Sequence, residues 1–182
     1  SSFTARSLGV IELAMNEAVE TLLQGMRGKD EVEFVDAFSG NLPIQALCLL
    51  LGIPQADRQQ IFDWTNKLVG VADPEYGVSA AESSAIHRQV FAYGRELIER
   101  RRAEGGEDVL SIIGRMEIDG RPIGGDDLDG MIALLLAAGN ETTRNSLTGA
   151  VIALSRFPEQ RRRLAAEPEL MTGAVEELLR FV

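Results

Sequence analysis

Apolar residues recur three and four apart along nearly the whole chain, a spacing that gathers them on one side of an α-helix and that a strand cannot use. Leu8, Ile11, Met15, Val19, Leu22 and Met26 form one such stripe, which stops near Gly28. Leu42 to Leu51 is nearly continuous apolar sequence, too dense for a surface helix, and Gly52 and Pro54 end it. A buried helix is expected there. Ile61, Phe62, Trp64 and Leu68 mark a helix over Asp57 to Val69, and Ile86, Val90, Tyr93 and Leu97 mark a long one broken by Gly105 and Gly106. A short helix over Asp108 to Arg115 precedes a small hairpin or loop from Glu117 to Pro122. The longest helix is expected from an Asp126 cap to about Arg156, followed by a short one opened by Pro158 and a last one from about Leu170. Val71 to Val78, with Asp73, Pro74 and Gly77, reads as a loop. No run of strands, repeat or low-complexity linker interrupts the pattern. The expected architecture is all-α, one piece of roughly eight helices over residues 1–182.

The bulk properties narrow the function classes. With 182 residues, 45% hydrophobic and 25% charged, the chain has ordinary globular composition and can bury a core. A net charge of -10 weighs against nucleic acid as a partner, because phosphate binding needs surplus Lys and Arg. A single cysteine, Cys48, excludes an internal disulfide framework and suggests a reducing compartment or indifference to redox state; a cytoplasmic location is expected. The longest wholly apolar run, Met131 to Ala138, is far short of the roughly 20 residues of a spanning helix, so no membrane partner is expected. The sequence opens on Ser1 and closes on Phe181-Val182 within a helical pattern, so both ends read as cut from a longer protein.

The long helix carries the chemistry. Eight apolar residues from Met131 imply burial all round, yet the next turn is Gly139, Asn140, Glu141, Thr142 and Thr143. Glycine costs about 1 kcal/mol against alanine inside a helix, and a buried carboxylate costs several unless paired. The β-branched threonines add no propensity. Such a turn can open: Thr142 can bond back to the carbonyl of Ala138, and Gly139 leaves room for a water or diatomic ligand at the backbone. Glu141 beside Thr142 supplies an ionisable group next to a hydroxyl, the two parts of a short proton relay. The plainer reading has small residues admitting a neighbouring helix and Glu141 in solvent. In the last helix Glu177 and Arg180 lie three apart and Glu176 and Arg180 four apart, a spacing that usually makes a surface ion pair.

Taken in order, these segments resemble the cytochrome P450 family. Ala138-Gly139-Asn140-Glu141-Thr142-Thr143 is similar to the signature of that family's I helix, and Ser155-Arg156-Phe157-Pro158-Glu159-Gln160 to its connection into the J helix. Ala174 to Arg180 resembles the K helix with its Glu-x-x-Arg pair, here Glu177 and Arg180. Phe3-Thr4-Ala5-Arg6 and Leu51-Gly52-Ile53-Pro54 resemble the segment before helix D and the E-to-F junction. The whole chain can be laid along helices D to K of a soluble bacterial member, and the loop carrying the haem-ligand cysteine is absent. Cys48, in a buried apolar run, is expected to be a core residue and not to stand in for it; His87, the lone histidine, is expected to be exposed.

The resemblance implies a haem-thiolate monooxygenase that inserts one oxygen atom of O2 into a small apolar substrate. Its electrons would come from NAD(P)H through a ferredoxin-type donor, and its axial cysteine would lie outside this chain. It implies catalytic roles for Glu141 and Thr142, a haem-facing set of Ala138, Gly139, Thr142 and Thr143, and a substrate wall of Leu134, Ala137 and Ala138. Glu177 and Arg180 become a structural ion pair with Leu178 and Leu179 facing the core, and Leu68 to Tyr76 becomes part of a mobile lid. The run to Arg144, with Trp64-Thr65-Asn66 upstream, looks like members acting on steroids, terpenoids or branched lipids. The competing class is a non-enzymatic all-α ligand-binding module, which would have no need of the polar turn at Gly139 to Thr143.

Overall fold

The helical spacing is realised nearly element for element in the computed structural model, which describes residues 5–69, 79–106 and 108–181. Its eight α-helices among those residues are α1 (Ala5–Met26), α2 (Asn41–Leu51), α3 (Arg58–Val69), α4 (Ala80–Glu104), α5 (Val109–Gly114), α6 (Gly125–Arg156), α7 (Pro158–Ala166) and α8 (Met171–Phe181). A two-stranded antiparallel hairpin, β1 (Glu117–Ile118) and β2 (Arg121–Pro122), joins α5 to α6. The loop expected over Val71 to Val78, the lid stretch beyond Val69, and the Phe3-Thr4 part of the first family-like segment lie outside the described residues.

The core forms where the densest apolar sequence meets. Ile44, Leu47, Cys48 and Leu51 of α2 pack with Ile61 and Trp64 of α3, Val90, Leu97 and Ile98 of α4, and Leu128, Ile132 and Leu136 of α6. Each fully buried side chain of this kind contributes about 1.5–3 kcal/mol of transfer free energy, so this block dominates the stability. In α1 the expected stripe of Ile11, Met15, Val19, Leu22 and Met26 is the half-buried side, as the spacing requires.

Ends and crossings follow local chemistry. Gly52 closes α2 in the left-handed conformation, φ 72°, while Ile53 N–H donates to Cys48 O at 2.8 Å. A Cβ there would also meet the Asp108 carboxylate at 2.6 Å. Asp108 caps α5 through Ser111 N–H at 2.7 Å and pairs with Arg101 Nε of α4 at 2.9 Å, tying α2, α4 and α5 together. Ser79 and Glu82 form a capping box at the start of α4. The cap expected at Asp126 is not used: α6 begins at Gly125 with Gly124 before it, and Asp126 and Asp127 sit in the first turn, where their charge favours the helix N-terminus without capping it. Asp129 instead anchors α6 to α4, accepting two hydrogen bonds from Arg95.

Candidate functional site

Helix α6 has two unlike sides. Ile132, Leu136, Asn140 and Arg144, four apart in one row, are buried. Leu134, Ala137, Ala138 and Thr142 lie open, Leu134 at 65% exposure. Burial all round the Met131–Ala138 run is therefore not what the structure shows. Among the described elements α2, α3 and α4 pack on this stretch, and they cover one side of a cylinder only.

The turn at Gly139–Thr143 stays α-helical throughout. Thr142 Oγ1 donates to Ala138 O at 2.7 Å, as its spacing allows, but the helix does not open. A carbonyl has two lone pairs, so it takes the hydroxyl without giving up the ladder. Gly139 also differs from the expectation of vacant space: a Cβ there would stand 3.0 Å from Leu47 Cδ1, so the missing side chain admits α2. Leu134, Ala138 and Thr142, four apart, share the open face, whereas Gly139 and Thr143 share the neighbouring one. All four residues expected to face a cofactor are exposed, Ala138 and Thr142 on one face and Gly139 and Thr143 on the adjoining one.

Glu141, at the edge of the open face, is held from two sides. Asn145 Nδ2 donates to its Oε1 at 3.1 Å, and Arg144 Nη1 stands 3.4 Å from its Oε2. Arg144 is only 8% exposed, donates through Nη2 to Asn66 Oδ1 of α3, and lies over the Phe62 ring at 5.8 Å. In the sequence Asn66 and Arg144 stand out only within the runs that resemble members acting on steroids, terpenoids or branched lipids, with no role beside Glu141. The available signal was that Arg144 continues the four-residue row of Ile132, Leu136 and Asn140, where a cation is out of place unless partnered.

The remaining candidates are accounted for by their surroundings. Cys48 is fully buried, and burial pushes its thiol up to about 11, which removes it as a thiolate ligand. His87 is half-buried, its Nδ1 2.8 Å from Ser83 O. Among the described residues no cluster of His, Cys, Asp or Glu could hold a metal ion, and no helix is long and apolar enough to cross a membrane. Glu177 and Arg180 form a two-bonded ion pair at 3.0 and 2.5 Å, and the Arg180 bonds hold the Glu177 carboxyl below the usual carboxylate range. They sit beside an open groove of about 550 Å³ between the end of α6, α7 and α8, lined by Phe157, Ala174, Leu178 and Phe181 among others. Leu178 turns inward, but Leu179 is 54% exposed and not core, because adjacent helical residues point about 100° apart.

No protein-family model matches the chain. Whole proteins do. It is 36% identical to a methyl-branched lipid omega-hydroxylase of Mycobacterium tuberculosis over 99% of this chain and 43% of that protein. It is 35% identical to a linalool 8-monooxygenase of Pseudomonas putida over 95% of this chain and 43% of that protein. Among solved structures, a Mycobacterium marinum cytochrome P450 in complex with pseudoionone superposes with a TM-score of 0.87 at 31% identity, over 97% of this chain and 44% of that one. A Bacillus subtilis cytochrome P450 of the bacillaene polyketide synthase superposes with a TM-score of 0.83 at 31% identity, over 98% of this chain and 45% of that one. The chain spans 43% of the length of the curated relatives it matches first. An all-α block built around one 32-residue helix, matched along nearly its full length by such proteins, belongs to the cytochrome P450 family.

Proposed function

We propose that the chain forms the oxygen-side wall of a cytoplasmic haem-thiolate monooxygenase that hydroxylates a small apolar substrate. The observation that carries this is the open face of α6, where Thr142 and Ala138 are joined by a 2.7 Å hydrogen bond with Glu141 one residue away. A flat apolar group fits that face, because Ala137 and Ala138 present no bulk and Leu134 stands clear. The iron's axial ligand does not fit this chain: Cys48 is sealed in the core, and the thiolate would come from a cysteine outside it. Bound haem supplies the reduction of O2 and the transfer of one oxygen atom to substrate, with electrons from NAD(P)H through a ferredoxin-type donor.

The protein's own residues then position, shield and move protons. Leu134, Ala137 and Ala138 form an apolar wall that excludes water and seats substrate. Thr142 can rotate its hydroxyl away from Ala138 O to hold an oxygen or a water on the open side. Glu141, half-buried between Arg144 and Asn145, can pass protons to that hydroxyl. Glu177 and Arg180 act as a structural pair away from this turn. The relatives' names, which specify a branched lipid and linalool, support an apolar substrate of lipid or terpenoid type.

The test compares Thr142→Val with Glu141→Gln in the haem-loaded enzyme that carries this chain, following NAD(P)H consumed, peroxide released and product formed. Valine keeps the shape and removes the donor, so electrons should go increasingly to peroxide, with product per NAD(P)H falling about tenfold. Glutamine keeps the size and removes the titrating group, so turnover should fall more than coupling. Wild-type coupling in Thr142→Val would return the turn to helix packing.

A further inference from the structure

We infer that Asn66 of α3 is a positioning residue that restrains Arg144 and so keeps the Glu141 carboxylate loosely held. This rests on the proton-relay reading of Glu141 and extends it to the control of that group. Four glutamates among the described residues of the second half of the chain are followed three residues later by an ion-paired arginine, Glu99, Glu141, Glu159 and Glu177, and of these Glu141 alone accepts no hydrogen bond from its arginine. Arg180, exposed and with no other partner among the described residues, closes on Glu177 with two hydrogen bonds at 3.0 and 2.5 Å. Arg144, at the same spacing, reaches Glu141 by one edge at 3.4 Å and makes no hydrogen bond to it. The difference is a third party. Arg144 Nη2 is taken by Asn66 Oδ1, and its plane is set over Phe62 at 5.8 Å. The wall at Gly40 contributes too, since a Cβ there would stand 3.2 Å from Phe62 and 3.6 Å from Arg144 Nε.

Stability alone does not account for this arrangement. Asn140 Nδ2 and Oδ1, Glu141 Oε2 and Arg144 Nε are buried without a hydrogen-bond partner among the described residues, all within about one turn of α6. Each such atom carries a desolvation cost that a closed, two-bonded Glu141–Arg144 pair would partly recover. Holding the guanidinium on Asn66 forgoes that recovery and leaves Glu141 with a charge beside one oxygen and the single Asn145 hydrogen bond on the other, not a two-bonded clamp. A carboxylate in that state keeps the freedom to rotate toward Thr142, which a two-bonded partner would deny it.

The test uses Asn66→Leu, which removes the acceptor at similar volume, and Asn66→Asp, which keeps it. In crystal structures Arg144 should close on Glu141 with two bonds of about 2.9 Å in Asn66→Leu and stay on residue 66 in Asn66→Asp. In the haem-loaded enzyme Asn66→Leu should lower kcat about fivefold, raise the solvent deuterium isotope effect and leave KM unchanged, while Asn66→Asp recovers most of the rate. Should Glu141→Gln slow turnover while Asn66→Leu neither moves Arg144 nor alters the isotope effect, the positioning role is refuted and the relay reading stands. Should Glu141→Gln leave turnover at the wild-type level, the relay reading fails and this inference fails with it.

Discussion

Glu141–Arg144 and Glu177–Arg180 are the same arrangement in sequence, a glutamate and an arginine three apart on a helix, and they are unlike objects in space. Side-chain exposure is 10% and 29% for Arg144 and Glu141, against 74% and 61% for Arg180 and Glu177. The exposed pair makes the better geometry, because among the described residues nothing competes for its arginine. The buried pair makes the worse geometry, because α3 lies across it and supplies Asn66 and Phe62. Good geometry and energetic weight are therefore inverted here. Water screens the well-made pair, whereas the poorly made one works where charges are felt strongly.

That contrast can be broken by substitution. Arg144→Ala should give the largest effect, since it leaves the Asn66 acceptor without a partner and a partly buried carboxylate with Asn145 alone. A cost of about 3 kcal/mol is expected, lowering the Tm by roughly 10 °C. A Tm within 2 °C of wild type, measured by calorimetry, would mean that Arg144 is not buried as described (about 0.5 kcal/mol). Glu141→Gln keeps volume and one acceptor oxygen while removing the charge, so about 1 kcal/mol and a drop of about 3 °C is expected.

Arg180→Ala should leave the Tm of this chain unchanged and be visible only in titration. Arg180 depresses the folded-state pKa of Glu177, so whatever stability the pair confers is present above the ordinary carboxylate value and lost as pH falls through the depressed one. Carbon-13 titration should find the Glu177 midpoint rising toward the ordinary value in Arg180→Ala, and in the wild type at about 1 M salt, where screening acts within about 3 Å. A midpoint that ignores both changes would show that the pair is not formed in solution.

Much of the fold was legible because burial in a helix leaves a period. The stripes of α1, α3 and α4 fall on the positions that are covered, and Gly52, Gly105 and Pro158 mark ends where backbone chemistry demands them. Two boundary signals were not read correctly. Asp126 has a capping residue type and serves only as first-turn charge, and the Ser79 and Glu82 capping box, three residues apart, was passed over in the sequence and is seen only in the structure. The polar turn of α6 was legible as an anomaly, and the Thr142 to Ala138 bond follows from helical geometry alone.

What the sequence by itself determined is therefore local: helix positions, the all-α class, the turn at Gly139–Thr143, and each i to i+3 or i+4 pair. Those depend on residues a few positions apart, and the helix fixes their separation. Which side of α6 is covered, that Gly139 admits Leu47, that Leu179 faces out, and that Asn66 reaches across 78 positions to Arg144 were decided only by tertiary packing. An apolar run such as Met131–Ala138 has no periodicity from which to choose a face, so the neighbours choose it. Two Glu-x-x-Arg spacings likewise cannot say which will lie beneath another helix. The dielectric and the competing partners around a charge belong to the packed structure, and here they separate an ion pair that water screens from one that carries stability and is proposed to govern a proton.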